Sequence, residues 1–553
     1  MILEIADIRI QSGQQAAFEE AIQRGIATVA SKAQGFQGFK VNKCIETPER
    51  YVLQIFWDTL EDHTVAFRQG PLFAVARHRR AVLRWSAQRG ALRPRRQVRQ
   101  GGLRAVVMQN YLTEPSRQTP VFGEYDVVVL GGGPAGMAAA VSAARSGRST
   151  LLIERYGFLG GMGTAAGVTN FCGLHANVEG EIRQVVHGVA DDLLVRIARL
   201  GGLNEPHALF GKTVAQAYDT AAYKIAADDL MLAAGVSILF HAAGAGVVMT
   251  SPGHLQALLV ETKSGRFAVR GRAFIDCSGD GDLAAWAGAA FEKGDGHGNM
   301  LYPSTMFRLN GVDPVRAGEA WKVIPELMAQ AEAQGRYKFP RKGAIVRPQK
   351  SGIEWRVNLT QLANPQGNAM DGTDAVELSE AEVLGRRQIA DVAGFLKEVP
   401  GFEQSYIVDI APQVGIRETR RVLGGYMLTE SDVLDCADFG DTIGVNGWPL
   451  ELHLKGDVEF RWTKPGSRGF NQLPYRMIVA PGLDNLWVAG RCASMTHEAQ
   501  SAARVTGACF VMGQAAGIGA DLALKSGAGA AGIDVPALQA RLESEGAYLG
   551  RTW

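Results

Sequence analysis

Four side chains could carry proton transfer or oxyanion binding in this chain. His175 stands in Asn170-Phe171-Cys172-Gly173-Leu174-His175, and His497 in Ser494-Met495-Thr496-His497-Glu498. Each can take a proton near neutral pH, and each can equally be a satisfied structural histidine. Arg417 and Arg420 lie three apart in Gly415-Ile416-Arg417-Glu418-Thr419-Arg420. If that segment is helical they share a face and can clamp a carboxylate or carbonyl; the alternative is pairing with Glu418 or another acid. The six cysteines (Cys44, Cys172, Cys277, Cys436, Cys492 and Cys509) are scattered without a C-x-x-C pair. That pattern argues against a disulfide framework, a zinc site, an iron–sulfur cluster and a dithiol mechanism. No metal is expected.

These side chains need a scaffold, and its plainest trace is Tyr125-Asp126-Val127-Val128-Val129-Leu130-Gly131-Gly132-Gly133-Pro134-Ala135-Gly136. An apolar strand runs into G-x-G-x-x-G, Met137 to Ser146 reads as a small-residue helix, and a second strand over Thr150–Ile153 ends at Glu154. This is a complete βαβ unit. Gly131 allows the tight turn, Gly133 lets a pyrophosphate approach the backbone, Gly136 lets helix and strand pack closely, and Glu154 can accept ribose hydroxyls. Gly527-Ala528-Gly529-Ala530-Ala531-Gly532 has the same spacing but follows a helix-like run and precedes no strand, so it reads as a flexible loop.

Length and composition fit such a scaffold. The chain has 553 residues, 46% hydrophobic and 20% charged, with 67 glycines, enough for two to four domains. No apolar run approaches a membrane span and the start of the chain does not read as a signal peptide, so the expected location is cytoplasmic. Ten arginines and no acid lie between Arg77 and Arg104, whereas the remainder carries 47 basic and 56 acidic residues. With Trp85 its only aromatic, this stretch reads as a linker on its own protein, not a nucleic-acid or lipid arm.

Residues 1–112 read as a separate α+β module with a ferredoxin-like fold, including the Arg-rich crossover at 77–104. Ile2 to Ile10 alternates as a strand, and Phe18, Ile22, Ile26 and Val29 line one helical face. Two strands follow at Phe36–Cys44 and Tyr51–Trp57, then a second helix opened by Thr59 and Asp62, with Arg104–Tyr111 as a final strand. Glu49-Arg50-Tyr51-Val52-Leu53-Gln54-Ile55-Phe56-Trp57 and Thr59-Leu60-Glu61-Asp62-His63 resemble the antibiotic-biosynthesis-monooxygenase superfamily of dimeric α/β barrels. After Phe73 the resemblance lapses. Trp57 and His63 are the module's polar and aromatic candidates, and packing is the simpler role for each.

Beyond residue 123, Gly131–Gly136 with Glu154, Leu159–Thr164, Ile275–Asp282, Gly415–Arg420 and Val488–Arg491 through Gly517 resemble, in order, the FAD-dependent oxidoreductases of the glutathione-reductase structural class. The resemblance implies an α/β, Rossmann-like FAD-binding fold over 123–309 and 476–553, with an inserted α+β substrate domain at 310–475. It implies noncovalent FAD contacted by Gly131, Gly133, Pro134, Ala135, Gly136, Glu154, Arg155, Gly160, Gly161, Met162, Asp276, Gly279, Asp280, Gly490, Arg491, Ala503 and Gly507. An Ala/Gly-rich helix from about Ala502 to Leu524 would direct its N-terminus at the flavin N1–C2=O locus. FAD is favoured over NAD by the Gly160-Gly161 loop and the late Val488–Arg491 segment. Gly244-Ala245-Gly246 lacks the third glycine needed for a nicotinamide domain.

The expected activity is dehydrogenation of a small organic substrate bearing a carboxylate or carbonyl, by hydride transfer to flavin N5. Flavin-dependent monooxygenation and a non-catalytic, oligomerising FAD protein are the alternatives. A homodimer or larger homo-oligomer is expected through the N-terminal module.

Overall fold

A computed structural model describes residues 2–10, 13–28, 31, 35–44, 49–59, 112, 114–209 and 212–551. The chain divides into two compact units, Met1–Gly101 and Gly102–Trp553. The helix expected after Thr59, the Arg-rich stretch, His63 and the strand expected at Arg104–Tyr111 lie outside the described residues.

In the first unit, strands Ile2–Arg9, Arg50–Trp57 and Phe36–Lys43 form an antiparallel sheet with Arg50–Trp57 in the centre. Helix Gln15–Thr28 sends Ile26 into a small core with Leu53, Ile55 and Trp57, while Phe18 packs against Tyr51 with ring centroids 4.7 Å apart. The alternating burial of Tyr51, Leu53, Ile55 and Trp57 is the period-2 signature of a strand with one face covered. Trp57 is fully buried and meets Phe36 edge-on with ring centroids 5.9 Å apart, a packing role.

The second unit is built on a seven-stranded sheet. Thr150–Ile153, Val121–Leu130, Gly265–Asp276 and Leu486–Val488 run parallel, with Ser237–Leu239 parallel at one edge. Gly265–Asp276 serves two partners on one side: its first half pairs antiparallel with His254–Thr262, and Phe274–Asp276 pairs with Leu486–Val488. This puts Leu486–Val488 one strand away from Val121–Leu130, with Gly265–Asp276 between them. Gly244 to Gly246 lie within the antiparallel strand Ala243–Ser251, which excludes a second nucleotide-binding turn there.

Helices Pro134–Arg145 and Thr506–Ser526 pack directly on one another. A Cβ at Gly513 would sit 2.0 Å from the Ala135 carbonyl oxygen, and one at Gly517 would sit 2.3 Å from that of Ala139. Only glycine allows this approach. Thr506–Ser526 is also long and apolar enough to cross a membrane by length and composition, contrary to the expectation that no such run exists. Yet 83% of its most apolar window is buried inside the protein, the property of a core helix.

Residues 310–475 are shared among several cores, including a small one of Leu362, Met370, Ala381, Val414 and Ile416. Ile345–Pro348, Trp355–Asn358, Phe307–Asn310 and Tyr406–Ile410 form an antiparallel sheet with its own core around Trp355, Phe395 and Phe402. By contrast, Ile443, Val445, Leu450, Leu452 and Leu473 join the core beneath the nucleotide-binding helices. The terminal Gly/Ala stretch is a packed turn: Gly527 caps the long helix in the left-handed region, and buried Ala530 accepts a 2.7 Å hydrogen bond from Tyr475.

Candidate active site: a glycine-lined cradle beside a buried charge cluster

The strand Val121–Leu130 ends in a turn whose glycines are sterically required. Gly131 has φ +103°, and a Cβ there would lie 2.3 Å from the Cys277 carbonyl oxygen; a Cβ on Gly136 would lie 1.8 Å from that of Gly131. Gly133 instead keeps open space, with only Gly161 Cα nearby at 3.6 Å. Gly133 is the helix N-cap, Pro134 and Ala135 begin the helix, and neither a capping side chain nor an acid occupies its first turn. The helix N-terminus is thus left for an anion. Glu154 accepts from the Gly132 N–H at 2.7 Å and the Tyr156 N–H at 3.0 Å. Burial raises its pKa while these two hydrogen bonds oppose the shift.

Three close approaches draw distant segments to this turn. Gly160 and Gly161 both have positive φ, and a Cβ on Gly161 would touch Gly133 Cα at 2.8 Å. Gly279, also at positive φ, leaves room for Arg491, whose Nη2 would be 2.8 Å from an added Cβ. A Cβ on Gly490 would lie 3.1 Å from that of Ala135. Met162 Sδ and Arg155 both reach Gln413, at 3.5 and 3.4 Å, and the Arg155 guanidinium also lies over the Tyr156 ring.

The acidic loop has two carboxylates with different work. Asp276 is fully buried and accepts from Ser278 N–H and Oγ–H at 3.0 and 2.6 Å and from Ala284 N–H at 2.9 Å. Burial pushes its pKa up to about 6 despite those bonds. Its oxygens organise the loop. Asp280 accepts from Arg491 Nη2 at 2.9 Å and Thr419 Oγ1 at 2.8 Å, fixing a buried ion pair beside the glycine turn.

The expected single helix from Ala502 to Leu524 is two helices, His497–Ala503 and Thr506–Ser526. Val505 is extended (φ −76°, ψ 169°), and the break lets the Gly507 N–H donate to Cys172 O at 3.0 Å. A Cβ on Gly507 would lie 2.1 Å from Gly173 O, so Gly507 seats the 172–173 loop, while Ala503 is buried at the end of the shorter helix. The longer helix has no side-chain cap and no acid in its first turn.

Arg417 and Arg420 do not form a clamp. Residues 415–420 are irregular, so the three-residue spacing puts the two guanidiniums in different surroundings. Arg417 is buried and donates to Tyr302 O at 2.7 Å and Ser304 Oγ at 2.9 Å; Arg420 donates to Asp280 O at 3.0 Å and Asp282 Oδ1 at 2.7 Å. Glu418 takes neither. It pairs with Arg421 and, at 2.8 Å, with His497 Nδ1, while also accepting from Leu301 N–H. His497 is thereby oriented by a buried carboxylate. His175 begins strand His175–Val178, and burial followed by the charge of His187 lowers its pKa.

Five residues with strong electrostatic roles carry no motif in the sequence: Arg341, Arg356, Glu451, His453 and Arg504. Glu451 and His453 alternate with leucines on strand Leu450–Leu454, a legible polar face. His453 Nε2 lies 3.2 Å from Glu451 Oε1, and Trp448 Nε1 donates to Oε2 at 3.0 Å. Among the described residues no group of three or more His, Cys, Asp or Glu could hold a metal ion. Burial pushes the Cys172 and Cys509 thiols up to about 12. A depression of about 800 Å³ lined by Glu124, Asp126, Arg270 and Asp484 opens at the opposite end of the parallel strands from the glycine turn, away from where such sheets bind ligands.

Comparison with known proteins accords with this geometry. The FAD dependent oxidoreductase family model matches residues 126–542, and the antibiotic biosynthesis monooxygenase model matches residues 1–79. A 68-residue stretch is 37% identical to the uncharacterized protein YczJ of Bacillus subtilis, covering 12% of this chain and 70% of that one. A 42-residue stretch is 55% identical to dihydrolipoyl dehydrogenase of Trypanosoma brucei brucei, 8% of this chain and only 9% of that protein. A geranylgeranyl bacteriochlorophyll reductase-like protein from Thermoplasma acidophilum is 15% identical, covering 76% of this chain and 83% of that one, with a TM-score of 0.39.

The open glycine edge, the buried acid at the second strand's end and two uncapped helix N-termini fit the diphosphate, ribose and ring of FAD. The family match runs through every one of these segments, and the chain belongs to the FAD dependent oxidoreductase family.

Proposed function

We propose that the protein dehydrogenates a small organic substrate, with noncovalent FAD as hydride acceptor. The observation that carries this reading is the buried Glu418–His497 contact at 2.8 Å. A carboxylate facing Nδ1 fixes the imidazole with its Nε2 as the proton acceptor. When bound, FAD accepts the hydride at N5. The substrate's C–H electron pair leaves with that hydride, and the proton of the adjacent O–H or N–H goes to His497 Nε2. Glu418, held by Arg421, balances the imidazolium that results. Monooxygenation is the second reading, favoured by the match of residues 1–79 to the antibiotic biosynthesis monooxygenase model.

The test is anaerobic mixing of the FAD-loaded protein with small hydroxy and amino acids while flavin absorbance is followed. Dehydrogenation predicts bleaching without nicotinamide, and His497→Gln should slow bleaching about 10²-fold or more with FAD content unchanged. Acid precipitation should release the flavin into the supernatant. Bleaching by NAD(P)H alone, with oxygen incorporated into an organic product, would replace the main reading with the second.

A further inference from the structure

The structure gathers more positive charge around Glu451 than it neutralises. Arg341, Arg356 and Arg417 are 2%, 4% and 9% exposed, and Arg504 has Nε and Nη2 sealed from solvent. All four guanidiniums feel the Glu451 carboxylate, which is therefore the centre of the cluster. Yet the hydrogen bonds to that carboxylate come from Trp448 and His453. Arg417 donates to Tyr302 O and Ser304 Oγ, and Arg356 to Val168 O, all neutral acceptors. Arg341 donates through Nε to Gly343 O and meets Asn358 Oδ1 at 3.5 Å through Nη1; its Nη2 is buried without an acceptor. Arg504 Nε and Nη2 also have none.

Beyond Glu451, Asp457 offsets part of the charge of Arg341, so the shortfall of negative charge lies at Arg356, Arg417 and Arg504. Cys172 faces the cluster, but burial pushes its thiol up to about 12, so it is neutral. Glu418 reaches Arg504 electrostatically but is already engaged by Arg421 and His497. Burial disfavours the charge of Arg417, and the neighbouring charges of Arg504 and Arg341 disfavour it further. A buried guanidinium edge without an acceptor is costly, so its retention points to a partner that arrives later.

The position of the cluster says what that partner is. Arg504 occupies the break between the two late helices, Arg356 lies on the antiparallel sheet, and Cys172 is in the loop seated on Gly507. The free edge of Arg504 is its Nε–Nη2 side, two parallel N–H donors whose spacing matches the two oxygens of a carboxylate. We propose that the substrate is an organic acid whose carboxylate displaces the packing that seals the Nε–Nη2 edge of Arg504 and takes its two donors, with Arg341 Nη2 as a further donor. This identification of the anion as substrate rests on the dehydrogenase reading; the anion site itself does not.

The experiment measures binding without turnover. The oxidised, FAD-loaded protein is titrated with acetate, oxalate and benzoate and with the uncharged acetamide, oxamide and benzamide, following the flavin spectrum. At least one carboxylate should perturb the spectrum saturably, with its amide binding at least tenfold more weakly. Arg504→Lys, which keeps the charge but loses the fork, should weaken that carboxylate tenfold or more, as should Arg341→Met. Equal binding of acid and amide, no saturable carboxylate binding, or wild-type affinity in both variants would overturn the proposal. Should the variants lose FAD, the comparison of acid with amide on the unaltered protein still decides. Carboxylate binding through Arg504 with no acid bleaching the flavin would keep this proposal and sink dehydrogenation. Bleaching by neutral substrates with no carboxylate binding would do the reverse.

Discussion

Glu451 shows how a single buried acid can be set by its neighbours. Burial alone would raise its pKa, but the hydrogen bond with His453, the charge of Arg504 and the hydrogen bond from Trp448 hold it down to about 2, while burial keeps His453 itself well below the usual histidine range and so uncharged at neutral pH. Its folded pKa is therefore depressed, and its stabilising contribution is complete above the ordinary value of 4.5 and lost as pH falls towards 2. That shift corresponds to about 3 kcal/mol at neutral pH. Glu451→Gln should be less stable than the natural protein by about that amount at pH 7 in urea unfolding, and the gap should have narrowed markedly by about pH 3. A gap independent of pH would mean that the Glu451 carboxyl is not held low by the cluster.

At the scale of elements, the contact between Pro134–Arg145 and Thr506–Ser526 couples cofactor binding to the core. The first helix opens at the glycine turn and the second opens at the break after Arg504, so their separation fixes how the two uncapped N-termini stand to one another. Gly513→Ala would push a methyl to 2.0 Å from Ala135 O and force the helices apart. It should cost about 1 to 3 kcal/mol or more and lower FAD occupancy, measured by thermal unfolding and flavin-to-protein ratio. Gly147→Ala is the contrast: φ is +83° but nothing lies within 4 Å. It should cost about 1 to 2 kcal/mol from backbone strain alone and leave FAD occupancy unchanged. If both variants retain full FAD, the helix contact does not govern the cradle.

For the whole molecule, each of the two units has a core of its own. The cradle's described contacts all lie within Gly102–Trp553. A chain starting at Val121 should therefore fold and bind FAD stoichiometrically, while losing the oligomeric contacts expected of the N-terminal module. Size-exclusion chromatography with light scattering and the flavin-to-protein ratio measure both. Full assembly in the shortened chain would remove the module from oligomerisation; loss of FAD would make it part of the fold.

The chain alone spells out the βαβ unit, because glycine spacing, a β-branched strand and a terminal acid are local properties of contiguous residues. It also determined the order of the cofactor segments and the period-2 strands of the N-terminal module. It marks Gly133, Gly161, Gly279 and Gly490 as expected cofactor contacts, and the structure brings these glycines against one another or against Ala135 and Arg491. Only the tertiary structure decided that Arg417 and Arg420 part company, since residue spacing implies a shared face only in a regular helix and this segment is irregular. Only it decided that Val505 breaks the late helix, because Gly507 must give its N–H to Cys172, 335 residues earlier in the chain. Arg341, Arg356, Glu451 and Arg504 come from four separate segments. Their shared charge exists only once folding has buried them together, where low polarity makes an unmatched guanidinium an informative feature instead of an ordinary surface residue.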